Sequence, residues 1–428
     1  MAPEIRNATM AKISWQLLPL LIISYLVAYI DRTNVAFAAI TMNADLGISA
    51  YMYGLGAGIF FIGYALFEVP SNLVLAKVGA RRWIARIMIT WGIISGLQAF
   101  AQGPTSFLIL RFFLGVAEAG FFPGVLYYLT HWYPREYRGR VISALFVAVP
   151  ASNAIAAAIS GAILELDGWL GFKGWQWMFI LESLPAVGLG FVVYRKLIDH
   201  PSEAPWLRDE EKTWLQSELD EERAEAAKQV KPGILATLTD SRLITLSIIW
   251  LFTLTASYGL AFFLPLIVKG LGYTNMVTGF LSAIPWTIGV AALLLAGWSS
   301  DHFKERRWHL IIALTVGGIG LALAAINLTS LLAIAGMSLA AAGIYSSRPS
   351  FWPIPSMFLT GAAAAAGIAL INSFGNLGGY VGPFIVGWIR ESTGSYEMAL
   401  IFLAGCALVA AFLTILARRA TLGAAADR

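Results

Sequence analysis

The sequence predicts an all-α membrane protein with twelve transmembrane helices in two six-helix halves. Two observations carry that fold class. Of the 428 residues, 58% are hydrophobic and only 13% are charged, where a soluble domain is about 25% charged. Apolar runs of about 20 residues recur from one end of the chain to the other, each long enough to cross a bilayer. Lipid offers the backbone no hydrogen bonds, so each run must pair its own N–H and C=O groups, as a helix does.

The first six runs fall at residues 15–38, 52–75, 83–101, 106–130, 139–164 and 175–196. The first keeps its charges and lacks a short apolar core followed by a small-residue cleavage site. It reads as a span, not a signal peptide. A polar segment, 197–240, comes next. In it Trp206, Leu207, Trp214, Leu215 and Leu219 recur at roughly helical spacing among charges, the pattern of an amphipathic linker helix lying on a membrane face. The second six runs fall at 241–268, 277–300, 309–328, 331–350, 360–389 and 396–417. The expected organisation is an N-terminal half, 1–196, a cytoplasmic linker, 197–240, and a C-terminal half, 241–428. The single cysteine, Cys406, excludes an intramolecular disulfide and a multi-cysteine metal site. It reads as a small packing residue.

Basic residues set the expected orientation. With both termini inside, Lys77, Arg81, Arg82, Arg86, Arg135, Arg138, Arg140, Lys304, Arg306, Arg307, Arg418 and Arg419 collect on one side with the linker. Lys173, Lys269 and Arg390 lie on the other. The asymmetry places the termini in the cytoplasm.

The halves carry traces of a repeat. Asn72 to Arg82 after the second run is echoed by Gly297 to Arg307 after the eighth. Trp132-Tyr-Pro134 is echoed by Trp352-Pro353, each before a Gly- and Ala-rich helix with a mid-helix Asn. Many secondary transporters are built this way, with the site at the midplane between the repeats.

The twelve-span plan and the loop Gly297…Asp301…Arg306-Arg307 resemble the major facilitator superfamily. Further strings are similar to its anion:cation symporter family. They include Tyr29-Ile-Asp-Arg-Thr-Asn34, Phe67-Glu-Val-Pro-Ser-Asn72, Arg111-Phe-Phe-Leu-Gly-Val-Ala-Glu-Ala-Gly120 and Trp175-Gln-Trp-Met-Phe179. The first-half loop departs from the superfamily pattern, with Asn72 where Gly is usual and Ala76 where Asp is usual. The resemblance implies import of a small organic anion, such as a sugar acid or tartrate, usually with protons. It implies that Tyr29, Arg32, Trp352 and Asn372 touch substrate and that Asp31 takes part in proton coupling.

The residues themselves support such chemistry. A charge near the bilayer centre costs about 2.5–3.5 kcal/mol on insertion scales, so it needs a role or a partner. Asp31 and Arg32 are adjacent and point about 100° apart on a helix, so they serve different neighbours. Arg32 shares a face with Tyr29, which suits a bound carboxylate. Asp31 shares one with Asn34. Asp31 and Glu118 are the candidate proton carriers, because burial favours the neutral carboxyl and a nearby guanidinium favours the charged one. The alternative for Asp31 is a fixed ion pair locking two helices.

Arg111 and Glu118 are two turns apart, about 10.5 Å along the axis, too far for a direct pair. Arg111 either balances Asp31 or snorkels to the interface. Tyr64 either reaches a ligand or packs. Glu68 reads as a gate or cap partner, Glu182 as structural, and Arg348 as a snorkelling or vestibule residue. Trp352 is a ligand contact or an interface tryptophan. Asn372 and Asn376 lie one turn apart on a Gly-rich helix, and Asp301 and Arg306 form the loop motif.

No metal-ligand spacing and no phosphate-binding Gly-Lys-Ser/Thr loop occurs. The expected function is proton-coupled uptake of a small organic anion by alternating access. Exchange or export without obligatory proton flow is the alternative. A membrane enzyme would need a nucleophile–base set that the sequence lacks. No cofactor is expected beyond the proton as coupling ion. The expected surroundings are the lipid bilayer of a bacterial inner membrane, a monomeric state and no nucleic acid.

Overall fold

The computed structural model describes residues 3–228, 240–358 and 361–417. Within them the chain is helical throughout its apolar runs. Part of the linker (229–239), the start of the eleventh run at Thr360, and Arg418 and Arg419 lie outside the described residues.

The first run is longer than expected. Helix α1 (Pro3–Thr33) and α2 (Val35–Leu46) join at Asn34 into one 42-residue span, Ile5–Leu46. Helices α3 (Ala50–Val78) and α4 (Ala80–Leu97) follow. Ser49 caps α3 by accepting from the Met52 N–H at 3.3 Å, and Gly79 ends it at φ +95°. The fourth run is broken into α5 (Pro104–Glu118) and α6 (Phe121–Thr130). The break has a local cause. Proline clashes with the carbonyl four residues before it, so Pro123 disfavours a helical Ala119. Ala119 turns out to ψ 130°, and Gly120 takes the left-handed φ of +86° that other residues resist. Helices α7 (Arg135–Ile163) and α8 (Gly174–Lys196) complete the first six spans, and α9 (Asp209–Lys228) is the linker helix.

The second set is α10 (Ser241–Lys269), α11 (Asn275–His302), α12 (Arg307–Ile326), α13 (Leu332–Phe351), the short α14 (Pro353–Phe358), α15 (Gly361–Thr393) and α16 (Glu397–Leu416). Among the described residues, ten spans are long and apolar enough to cross a membrane. With α13 and α15, the described residues hold twelve long helical segments apart from the linker helix α9.

Three pairings join the first helices to the second: α3 with α15, α7 with α11, and α2 with α10. Glycines permit the closest approach. A Cβ on Gly161 of α7 would lie 2.8 Å from the Gly279 Cα and 2.9 Å from the Asn275 carbonyl oxygen of α11. Polar links reinforce these contacts at the end opposite the basic loops. The Tyr51 N–H donates to Glu391 at 2.6 Å, Met276 N–H to Glu165 at 3.1 Å, and the Tyr53 hydroxyl to the Phe262 carbonyl at 2.7 Å.

At the basic end, α9 lies on the first helices, as its apolar spacing predicts. Leu215 and Leu219 are buried, and Trp206 stacks on Trp132 at 5.5 Å. Lys12 pairs with the buried Glu211 at 3.1 Å, and Arg138 with Glu222 at 2.8 Å. The loop motif forms an Arg306–Asp301 ion pair at 2.5 Å. In the first-half loop, Asp199 accepts from the Arg81 N–H at 2.8 Å.

Candidate functional site

Helices from both sets meet around a central cavity of about 40 Å³, room for a few waters. Its first-half lining includes Tyr29, Arg32 and Tyr64, and its second-half lining includes Arg348, Trp352 and Asn372. Asn376 also faces it. Tyr29, Arg32, Tyr64, Trp352, Asn372 and Asn376, all singled out from sequence, therefore share one space.

Arg32 is buried and stands over an aromatic box. Its guanidinium lies 4.7 Å from the Tyr29 ring centroid, 5.2 Å from Phe60 and 5.3 Å from Tyr64. Such stacking favours a cation when water is excluded. One terminal nitrogen faces the Tyr258 hydroxyl of α10 at 3.4 Å. The other donates to Glu118 Oε1 in a buried ion pair. Glu118 is the last residue of α5, so the break after it fixes where its carboxylate sits. Glu118 is fully buried behind Arg32, and its Oε2 makes no hydrogen bond.

Asp31 points elsewhere. It is fully buried against α4, where it accepts from Trp91 Nε1 at 3.0 Å and Ser95 Oγ at 2.9 Å. It does not line the cavity. The expectation that Arg111 balances Asp31 is corrected. Arg111 is not at an interface but fully buried, and its Nε donates to the Gly56 carbonyl of α3 at 3.2 Å. It reaches α3 while Asp31 is turned to α4, so the two side chains diverge. Glu182 accepts from Ser160 at 2.6 Å, and Asn34 lies within its reach. Glu68 is near Tyr64 but off the cavity, and the Asp301–Arg306 pair sits at the basic loops, remote from it.

The cavity is bounded toward the basic end by aromatics. Phe146 stacks on Trp352 at 6.1 Å and an 11° interplanar angle, and Phe122 lies 5.8 Å from Phe146. Sequence reasoning missed Phe122 and Phe146, as it missed Tyr25, Trp250 and Tyr258. A mid-span aromatic facing a cavity has the same pattern as one packed on a neighbour. Trp91 and Ser95 were legible in principle, since they are polar groups one turn apart on an apolar helix.

Four unpaired buried atoms belong to residues that line the cavity. Arg32 Nε, Arg348 Nε, Trp250 Nε1 and Trp352 Nε1 are buried and make no hydrogen bond within the protein. All four are donors. Buried polar groups are normally satisfied, so this surface suits an acceptor-rich, negatively charged guest.

A family model described as "Major Facilitator Superfamily" matches residues 21–383. A protein of Agrobacterium vitis named "Putative tartrate transporter" is 47% identical, over 98% of this chain and 96% of its own length. A protein of Acinetobacter baumannii named "Quinolone resistance transporter" is 45% identical, over 94% of this chain and 93% of its own. Among solved structures, a bacterial homologue of the human lysosomal transporter Spinster shares the fold. It has a TM-score of 0.76, 17% identity, and coverage of 94% of this chain and 96% of the other.

Proposed function

The chain belongs to the major facilitator superfamily, and on that premise we propose that it imports a small organic anion together with protons. It is a multi-pass secondary transporter and not an enzyme. The four unpartnered buried donors that line the cavity with Arg32 are the observation that carries the anion reading. The name of the Agrobacterium vitis relative supports a hydroxy acid such as tartrate.

Proton coupling rests on the Arg32–Glu118 pair. An arriving carboxylate competes for the guanidinium that Glu118 holds. A carboxylate left without its cation in a dry site is costly. Glu118 then takes a proton, so loading of anion and loading of proton favour each other. Asp31 faces α4 rather than the cavity, and in this reading it is the lock that senses the charge on Glu118. The basic end is cytoplasmic, and two six-helix halves rock about the cavity. In this reading Asp301 and Arg306 tie the basic loop of the second half during that motion, and Glu68, Arg111 and Asn376 support the cavity walls.

Uptake into proteoliposomes with and without an inward proton gradient tests the coupling, and equal accumulation in both would sink it. Arg32→Ala tests the anion grip. A charge-assisted bidentate contact is worth roughly 1.5–3 kcal/mol, so affinity should fall by at least about tenfold. The name of the Acinetobacter baumannii relative favours a second reading, export or exchange. Exchange or efflux at the same rate with and without a proton gradient, and no gradient-driven accumulation, would select it.

A further inference from the structure

We infer that the substrate is a dicarboxylate, held by Arg32 of the first helices at one end and by Arg348 of the second at the other. The inference rests on the reading of this cavity as an organic anion site.

Arg348 is buried at 6% exposure and lines the same cavity as Arg32. Its guanidinium lies over the Tyr345 ring at 4.5 Å and is 5.9 Å from the Trp250 ring. One terminal nitrogen faces Ser257 Oγ at 3.4 Å, and Nε makes no hydrogen bond. Among the described residues no carboxylate pairs with it. The phenols of Tyr29 and Tyr258 lie within electrostatic range of both Arg32 and Arg348. The two guanidinium groups therefore flank one small space.

Charge counting then sets the valence. Arg32 has an internal partner, Glu118, while Arg348 has none. A cation shielded from water without a counter-charge is strongly destabilising. When Glu118 carries a proton, the side chains that line the cavity present two positive charges, Arg32 and Arg348, and no negative one. A monocarboxylate neutralises half of that charge. A dianion neutralises all of it and gives each arginine the planar acceptor its fork of donors fits. Because the two arginines come from α1 and α13, a ligand with an acid group at each end ties the two sets of helices together through both guanidinium groups. Trp250 Nε1 and Trp352 Nε1 are left to meet oxygens between those ends, as hydroxyl groups would provide.

The test is competition in proteoliposomes between acids of matched length, tartrate and succinate against threonate and butyrate. The wild-type protein should prefer the dicarboxylates by at least tenfold. In Arg348→Gln that preference should fall by at least tenfold, and Arg348→Lys should restore part of it. Unfolding midpoints of the ligand-free variants show whether the fold is intact. If the wild type prefers the monocarboxylates, or a folded Arg348→Gln keeps the dicarboxylate preference, the inference is wrong and the organic-anion reading stands. If the wild type takes up neither class, the reading of the cavity fails and the inference with it. Should Arg348→Gln not fold, the wild-type comparison decides alone.

Discussion

Arg32 on α1 and Glu118 at the end of α5 form an ion pair closed from water, although 86 residues separate them. The pair sits at the wall of the cavity, with Arg32 facing inward and Glu118 behind it. A buried pair of this kind is weak as a source of stability, since desolvation offsets much of the Coulomb gain. It is well suited to exchange one partner for another.

Glu118→Gln should therefore abolish gradient-driven uptake yet leave counterflow exchange measurable. The amide still fills the space beside Arg32 but cannot exchange a proton. Proteoliposome uptake with and without a gradient, beside counterflow, reads both properties. Normal gradient-driven uptake in this variant would count against Glu118 as the proton carrier.

Asp31→Asn should cost stability more than affinity. Asp31 accepts from both Trp91 and Ser95, and an amide offers only one oxygen to these two donors. Leaving a buried donor unmet costs about 1–3 kcal/mol. The unfolding midpoint should drop while ligand affinity stays close to that of the wild type, because the side chain faces α4. A large loss of affinity at an unchanged midpoint would place Asp31 in the cavity instead.

Gly161→Leu should force apart the end opposite the basic loops. Any Cβ at Gly161 meets the backbone of α11, at 2.8 Å from the Gly279 Cα. Replacement of the single Cys406 by Ser gives a cysteine-free background, and Leu254→Cys places a thiol in the cavity wall. A membrane-impermeant maleimide added from that side should label this thiol several-fold faster once Gly161 is replaced. Unchanged labelling would show that the crossing does not seal that end.

Acidification should loosen the linker helix through Glu211. Burial pushes its carboxyl up, but the Arg208 N–H, the Lys12 ammonium and the Arg208 guanidinium outweigh this and hold it below its usual value. A group lowered in the folded state contributes stability above its unfolded value and loses it as pH falls through its folded value. The difference in unfolding midpoint between wild type and Glu211→Gln should be largest near neutrality and shrink in acid. A constant difference across that range would exclude the linkage.

The helices were legible from residue order because lipid leaves an apolar run one way to satisfy its backbone. The apolar spacing of Leu215 and Leu219 likewise marked the face that α9 lays on its neighbours. Adjacency alone separated Asp31 from Arg32, since neighbours on a helix cannot share a face. The order of residues could not say which helix each would meet. It held Arg111 and Glu118 too far apart to pair but did not reveal that Glu118 meets Arg32, because that contact depends on how α1 packs on α5. It did not distinguish Phe146 or Tyr258 from packing aromatics. Nor did it reveal that Arg348 shares a cavity with Arg32, since the two meet only when distant helices cross at the same depth. Sequence by itself determined the helical membrane architecture, the inventory of buried charges and the faces they occupy, because those follow from local periodicity and transfer energy. Tertiary structure alone decided the partners, because pairing across a bundle is set by helix packing, to which local sequence is blind.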